Sequence, residues 1–232
     1  MLSKLPPWVE YWAFTLALLA GSINAVGLLD YREQAVSHMS GIATLLATEL
    51  ISSSITTFHL AAMIGSFMLG AAISGLLISN ESLKMGRHYD LLLVIEGVFL
   101  SVAVYFMSEH AAYGHYFAAA ACGLQNALAT KYSGAVIRTT HLTGIFTDLG
   151  IMLGSALRGG QFDQRKFVLF LTIIAGFMLG GVIGSVLYGE YKYMALCFPA
   201  GVCFLLAITY RTYRIYRNRK MLSLQMNSGV ER

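Results

Sequence analysis

Charge is what this sequence has least of. Only 12% of its 232 residues are Asp, Glu, Lys or Arg, about half the share of an ordinary soluble domain, so little polar surface is left to keep a compact fold in water. That excludes a soluble enzyme, a secreted disulfide scaffold and a disordered tail protein. Cysteine is also scarce. Cys122, Cys197 and Cys203 lie inside apolar runs without metal-ligand spacing, which removes a disulfide framework and reads as small buried hydrophobes. No P-loop, Gly-rich dinucleotide loop or His-Glu-x-x-His occurs, so ATP-driven pumping and zinc proteolysis lose support. The expectation is a non-enzymatic chain with no metal site and no cofactor.

What is abundant is apolar: 56% of the residues are hydrophobic and mean hydropathy is +0.63. The net charge of +4 does not point to nucleic acid, because six of the sixteen Lys and Arg, Arg211, Arg214, Arg217, Arg219, Lys220 and Arg232, gather after the last apolar run. They read as a basic cytoplasmic tail over 211–232, able to meet anionic lipid.

A bilayer core of about 30 Å takes about 20 apolar helical residues. Six segments qualify: Trp8 to Leu29, Thr57 to Ile78, Tyr89 to Phe106, Ala111 to Ala129, Phe167 to Tyr188 and Tyr193 to Tyr210. Two shorter ones, Met39 to Ser53 and Leu142 to Leu157, carry Glu49 and Asp148 and read as re-entrant segments, half-helices or tightly packed spans. If they do not span, six crossings put fourteen Lys and Arg inside and only Arg32 and Lys192 outside. If they do, eight crossings move Lys84, Arg87, Lys131 and Arg138 out and leave ten against six. The positive-inside rule favours six, with both termini cytoplasmic. Lys4 before an apolar run resembles a signal peptide, but the run is too long for a typical h-region, so the segment is kept as structure.

The halves of the chain match in three places, in the same order. Gly21-Ser22-Ile23-Asn24-Ala25 pairs with Gly123-Leu124-Gln125-Asn126-Ala127, His38-Met39-Ser40-Gly41-Ile42 with His141-Leu142-Thr143-Gly144-Ile145, and Phe67-Met68-Leu69-Gly70 with Phe177-Met178-Leu179-Gly180. The expected fold is therefore an all-α integral membrane protein, one membrane domain over 1–232, built from two tandem repeats at about 8–106 and 111–210. With three crossings each, the repeats are inverted, as in many secondary transporters; with four they are parallel. Gly176, Gly180 and Gly184, mirrored by Ser66, Gly70 and Ser74, make a small-residue stripe for close helix packing, and Gly150 and Gly154 offer the same on the shorter segment.

Polar groups on apolar helices are the candidate site. Asn24 and Asn126 sit at matched points, with Gln125 beside the second, and a buried amide must find a helix, a broken backbone or water. Helix glue and a solute-facing role both fit. The run Arg138 to Gly150 is denser: Arg138 with a helix N-terminus would attract an anion, Thr143 lines one face, and Asp148 or His141 could carry a proton or bind a cation. Mutual neutralisation of Arg138 and Asp148 is the structural alternative. The first copy keeps His38 but lacks the Arg and Asp. Glu96, in the middle of its span, is a proton or cation site by default or a protonated hydrogen-bonded acid. Glu10, Glu49, His59, His88, His110 and His115 are expected near interfaces, as are Trp8, Trp12, Tyr89, Tyr188, Tyr193 and Tyr210.

With these motifs in view the chain resembles the YoaK family of bacterial inner-membrane proteins, a domain of unknown function, over about residues 12–212. The resemblance rests on Ala20 to Gly27, Val36 to Gly41, Gly123 to Ala127, Val136 to Gly144 and Thr147 to Gly150. It implies a multi-pass bacterial inner-membrane protein and supplies no substrate. The expectation is a secondary transporter or solute-conducting protein for a small polar or charged solute. Its binding residues would be Asn24, Gln125, Asn126, Arg138, Thr143 and Asp148, with coupling at Glu96, His141 and His38. The alternative is a non-transporting scaffold or lipid-interacting protein. Partners are the bilayer and an unidentified solute, not nucleic acid, with room for a homo-oligomer.

Overall fold

The computed structural model describes residues 8–30, 35–51, 55–78, 88–109, 111–133 and 139–229. They form helices and no strand: α1 (Trp8–Leu29), α2 (Met39–Glu49), α3 (Ile55–Leu77), α4 (Tyr89–Ser108), α5 (Tyr113–Tyr132), α6 (Leu142–Leu157), α7 (Gln164–Tyr191) and α8 (Cys197–Gly229), with a short 3-10 turn, Lys192–Leu196, before the last. Each long helix follows from an uninterrupted apolar stretch whose backbone groups can be satisfied only within the segment. Asp163 starts α7 by accepting from the Lys166 N–H at 3.0 Å, an N-cap.

Four stretches are long and apolar enough to cross a membrane: Val9–Leu29, Ile55–Leu77, Tyr89–Ser108 and Gln164–Arg219. The last, at 56 residues, would be roughly 84 Å long as one helix, far more than a bilayer core. It breaks at Lys192, whose φ of 54° stops α7. Helix α5 is not among the four; its 20 residues include His115, Gln125, Asn126 and Lys131. The basic tail is not irregular either, because α8 runs on through it to Gly229.

Polarity is distributed inside out. Ile55, Leu76, Met68, Val186 and Leu205 are largely exposed, whereas Ser22, Ser74, Glu96, His115 and Gln125 are buried. An exposed apolar belt of this extent would drive association in water, and the long apolar helices are consistent with a membrane protein.

Two close helix pairs form the centre. Gly21 lies against the Phe177 carbonyl and Gly180 against the Leu18 carbonyl at backbone contact, and because Phe14, Leu18 and Ser22 meet Gly176, Gly180 and Gly184 in the same order, α1 runs parallel to α7. At the matched positions Gly123 lies against the Phe67 carbonyl and Gly70 against the Ala120 carbonyl; His59 meets Tyr116 near the starts of α3 and α5 and Lys131 meets Gly75 and Ile78 near their ends, so α5 runs parallel to α3. A Cβ at any of the four would overlap backbone, which is why glycine is needed there. Gly176 and Gly184 extend the first seam against Phe14 and Ser22; Ser74 is fully buried and Ser66 half-buried. Gly150 and Gly154 depart from the packing expectation: nothing lies within 4 Å of where a Cβ would be, because that face of α6 is exposed.

Helix directions follow from contacts. Gly114 faces Met107, and Phe117 packs on Phe99 and Phe106, so α4 and α5 are antiparallel. Gly97 faces Phe204 while Asp90 meets Arg214, so α4 and α8 are antiparallel. Helices α1, α4 and α7 therefore point one way and α3, α5 and α8 the other.

Two chemically different ends result. At the basic end Arg165 lies 3.9 Å from Glu10, Arg214 3.2 Å from Asp90, and the Lys131 ammonium donates at 3.0 Å to the carbonyls of Gly75 and Ile78, closing the C-terminus of α3. The opposite, histidine end gathers Asp30, His59, His115, Tyr116 and Tyr188.

Candidate functional site

The short helices are positioned by the segments that precede them. Asn24 lies about 7.5 Å below the end of α1, at 1.5 Å per residue. Its Oδ1 accepts from both the Ser37 N–H at 3.1 Å and the Ser37 hydroxyl at 2.8 Å. The chain has thus turned back from the end of α1 to the depth of Asn24 before α2 begins. Helix α2 then returns to the histidine end, where the Thr57 hydroxyl, at the start of α3, donates to the Glu49 carbonyl at 2.9 Å. Eleven residues make about 16 Å of helix, roughly half a bilayer core.

The helix N-termini are built alike. His38 precedes α2 with φ −93° and ψ 68°, and His141 precedes α6 with φ −96° and ψ 55°. Neither imidazole caps the helix; each lies over the glycine three residues on, His38 over Gly41 and His141 over Gly144, where a methyl group would collide with the ring. The first N–H groups of both helices are thereby left to other acceptors. Thr143 and Thr147 are exposed, and the Thr147 hydroxyl bonds back to the Thr143 carbonyl at 2.9 Å.

Around the second hinge the polar groups are unmatched. Gln125 is fully buried and neither amide atom has a hydrogen bond; the Oδ1 of Asn126 and the Oγ1 of buried Thr139 have none either. Leaving such a group unsatisfied costs roughly 1–3 kcal/mol, so a polar occupant that reaches one of them gains. Arg138 lies outside the described residues. Asp148 pairs with Lys166 at 3.1 Å, on a side chain 44% exposed, so its described partner is at the start of α7, not a group of the hinge.

Glu96 is completely buried on α4, and the groups beside its carboxyl are the thiols of Cys122 on α5 and of Cys203 on α8, the latter near enough to serve as a weak hydrogen-bond partner. Among the described residues no three His, Cys, Asp or Glu side chains come together as a metal site.

Two histidines expected near an interface lie within the first two turns of α3 and α5, and both are buried. His59 and His115 are 4% and 0% exposed and their rings meet edge to face at 5.8 Å. His115 Nε2 lies 3.3 Å from Asp30 Oδ2, the Tyr188 hydroxyl donates to Asp30 Oδ1 at 3.3 Å, and His59 Nδ1 bonds the Tyr116 hydroxyl at 2.9 Å. Sequence separation hides this group: 57 positions between His59 and Tyr116 and 158 between Asp30 and Tyr188. The usable signal was the alternation of spans, which sends all five side chains to one end. His88 precedes α4 without a side-chain cap, and His110 lies outside the described residues.

No curated protein and no solved structure matches the chain significantly. The family described as "Protein of unknown function (DUF1275)" matches residues 12–209, and the chain belongs to that family.

Proposed function

We propose that the protein is a secondary transporter or solute-conducting protein of the bacterial inner membrane, made of two inverted three-crossing repeats with α2 and α6 as re-entrant half-helices. The observation that carries the reading is the exchange of helices at matched positions. The first helix of each repeat packs on the second crossing of the other, Gly21 on Phe177 and Gly123 on Phe67, while the alternating directions give α1, α3, α4 and α5, α7, α8 opposite orientation. Two halves related in this way can build states open to either side at nearly equal energy. The basic end then faces the cytoplasm with both termini, in keeping with the positive-inside rule. The more specific resemblance to the YoaK family belongs to the same reading.

The solute site is the second hinge: Gln125, Asn126 and Thr139 with the N-terminus of α6, and with Arg138 two residues before Thr140 in the chain. Amide and hydroxyl groups together with free helix N–H groups suit a small polar solute bearing an acceptor or a negative charge. Thr143 and His141 line its rim, Asp148 pins α6 to α7, and Asn24 with His38 holds the first hinge. Glu96 is the coupling residue, since a carboxylate inside a membrane protein with no partner stronger than a thiol needs a proton or a cation. The partners are the bilayer and the solute, and the exposed Gly150–Gly154 face of α6 leaves room for a second copy; no enzymatic step and no nucleic acid enters the reading.

The test is a thermal-shift screen of purified protein against small anions, cations and neutral polar solutes, repeated on Gln125→Leu and Arg138→Ala. A solute that raises the wild-type midpoint by several degrees and loses that effect in both variants supports the site. Equal shifts in wild type and both variants overturn it.

A further inference from the structure

The surroundings of Glu96 bear on which ion it carries. Helix α4 packs against α5, α8 and the 3-10 turn before α8. Glu96 is the eighth of the 20 residues of α4, which puts it within about 4 Å of the middle of that helix. Cys122 stands at the middle of α5, and Cys203 precedes Phe204, the α8 residue whose ring lies over Gly97. The carboxyl is thus held where α4, α5 and α8 meet, and it is 0% exposed.

The groups that face it are few. From α5 comes the Cys122 thiol, and from α8 the Cys203 thiol, a weak hydrogen-bond partner. The buried residues of the 3-10 turn, Ala195 and Leu196, are apolar. On α4 itself Asp90 lies about 9 Å away along the axis and pairs with Arg214. Among the described residues no cation pairs with Glu96: the ion pairs go to Asp30, Glu10, Asp148 and Asp90 instead.

That donor set discriminates between ions. Hard metal cations take about six oxygen ligands. Here the carboxyl brings its own two oxygens, its neighbours offer sulfur, and α4, α5 and α8 run unbroken through this level, so their backbone carbonyls are used within the helices. A soft cation fares no better, since among the described residues no three His, Cys, Asp or Glu side chains come together. A proton needs no such shell. Bound to one carboxyl oxygen it removes the charge, and a neutral acid costs far less to bury than an ion.

We propose that the ion handled by Glu96 is a proton, with the Cys203 thiol as its hydrogen-bond partner across the α4–α8 contact. The inference rests on the reading of Glu96 as the coupling residue and makes that coupling proton-linked, not sodium-linked. The carboxyl keeps its proton while α5 and α8 enclose it and releases it when water reaches the site, which ties proton release to an opening of the fold.

Infrared difference spectroscopy on the protein in lipid nanodiscs tests this without any solute, so its outcome is separate from that of the thermal-shift screen. A protonated carboxyl has a carbonyl stretch that a carboxylate lacks. That band is expected at neutral pH in the wild type, missing in Glu96→Gln, and unchanged when sodium, potassium or magnesium replaces choline in the buffer. As alkaline pH removes the band, one S–H stretch is expected to move to lower frequency, because the thiol then donates to a carboxylate. Cys203→Ala is expected to lose that movement and Cys122→Ala to keep it. A wild type without a Glu96-dependent band at neutral or mildly acidic pH, or a band removed by a metal cation at constant pH, overturns the proton. An S–H shift that is missing from the wild type, or that survives in Cys203→Ala, overturns the partner.

Discussion

His38 and His141, which open the two short helices, share a backbone conformation, and the polar groups near them differ in what they find. Before α2, Asn24 is doubly satisfied by Ser37. Before α6, the matching Asn126 Oδ1 has no hydrogen bond, and buried Gln125 and Thr139 add three more atoms in the same condition. The sequence places Ile23 where the second copy has Gln125, so the first hinge is apolar where the second is polar. Under the proposed function this unequal satisfaction gives the hinges different work: the first would hold the fold, and the second would keep hydrogen-bonding capacity for a solute. Stability lost at one hinge and ligand response lost at the other would be the signature of that division.

The harshest way to break the comparison is to wedge both seams. Gly21→Leu and Gly123→Leu each drive a branched side chain into the backbone of a neighbouring helix, where overpacking of even a few methylenes costs about 1–3 kcal/mol. Both variants are expected to lose the monodisperse folded peak in detergent chromatography, and to a similar degree. A folded Gly123→Leu protein would show that the α3–α5 seam is not as close as its counterpart.

A sharper and smaller contrast comes from the amides. Asn24→Leu strands the Ser37 N–H and hydroxyl and is expected to lower thermal stability by roughly 1–3 kcal/mol. Gln125→Leu removes two unsatisfied atoms and is expected to leave stability unchanged or raised, while abolishing any solute-dependent shift. Equal destabilisation by both variants would erase the distinction between the hinges. Smallest of all is Asp148→Asn, which removes a half-exposed partner of Lys166 and is expected to cost at most about 1 kcal/mol in chemical denaturation.

Much of this was legible in the residues themselves. Apolar runs gave the long helices within a few positions, because a segment in a bilayer must satisfy its own backbone, except that α8 runs on past Tyr210 to Gly229. The paired Gly-x-x-Asn and His-x-x-Gly segments marked matched points of the two halves, but not which helices meet there. The stripe through Gly176, Gly180 and Gly184 anticipated the seam with α1. Residues whose partners come from distant helices were not legible: His59, His115 and Asp30 each look like ordinary span-end residues until the helix ends are brought together. Gly150 and Gly154 misled for the opposite reason, since small residues permit close packing without requiring it. Asp148 invited a pairing with Arg138, which lies outside the described residues; its described ion pair is with Lys166 across a loop.

The central claim, two inverted repeats with both short helices re-entrant, is tested most directly by sidedness. Single cysteines at Met85→Cys, between α3 and α4, and Glu109→Cys, at the far end of α4, are probed in whole cells with a membrane-impermeant maleimide. Six crossings expect position 109 to label from outside and position 85 only after permeabilisation. Labelling of position 85 from outside, with position 109 protected, would mean eight crossings and parallel repeats, and would contradict the account.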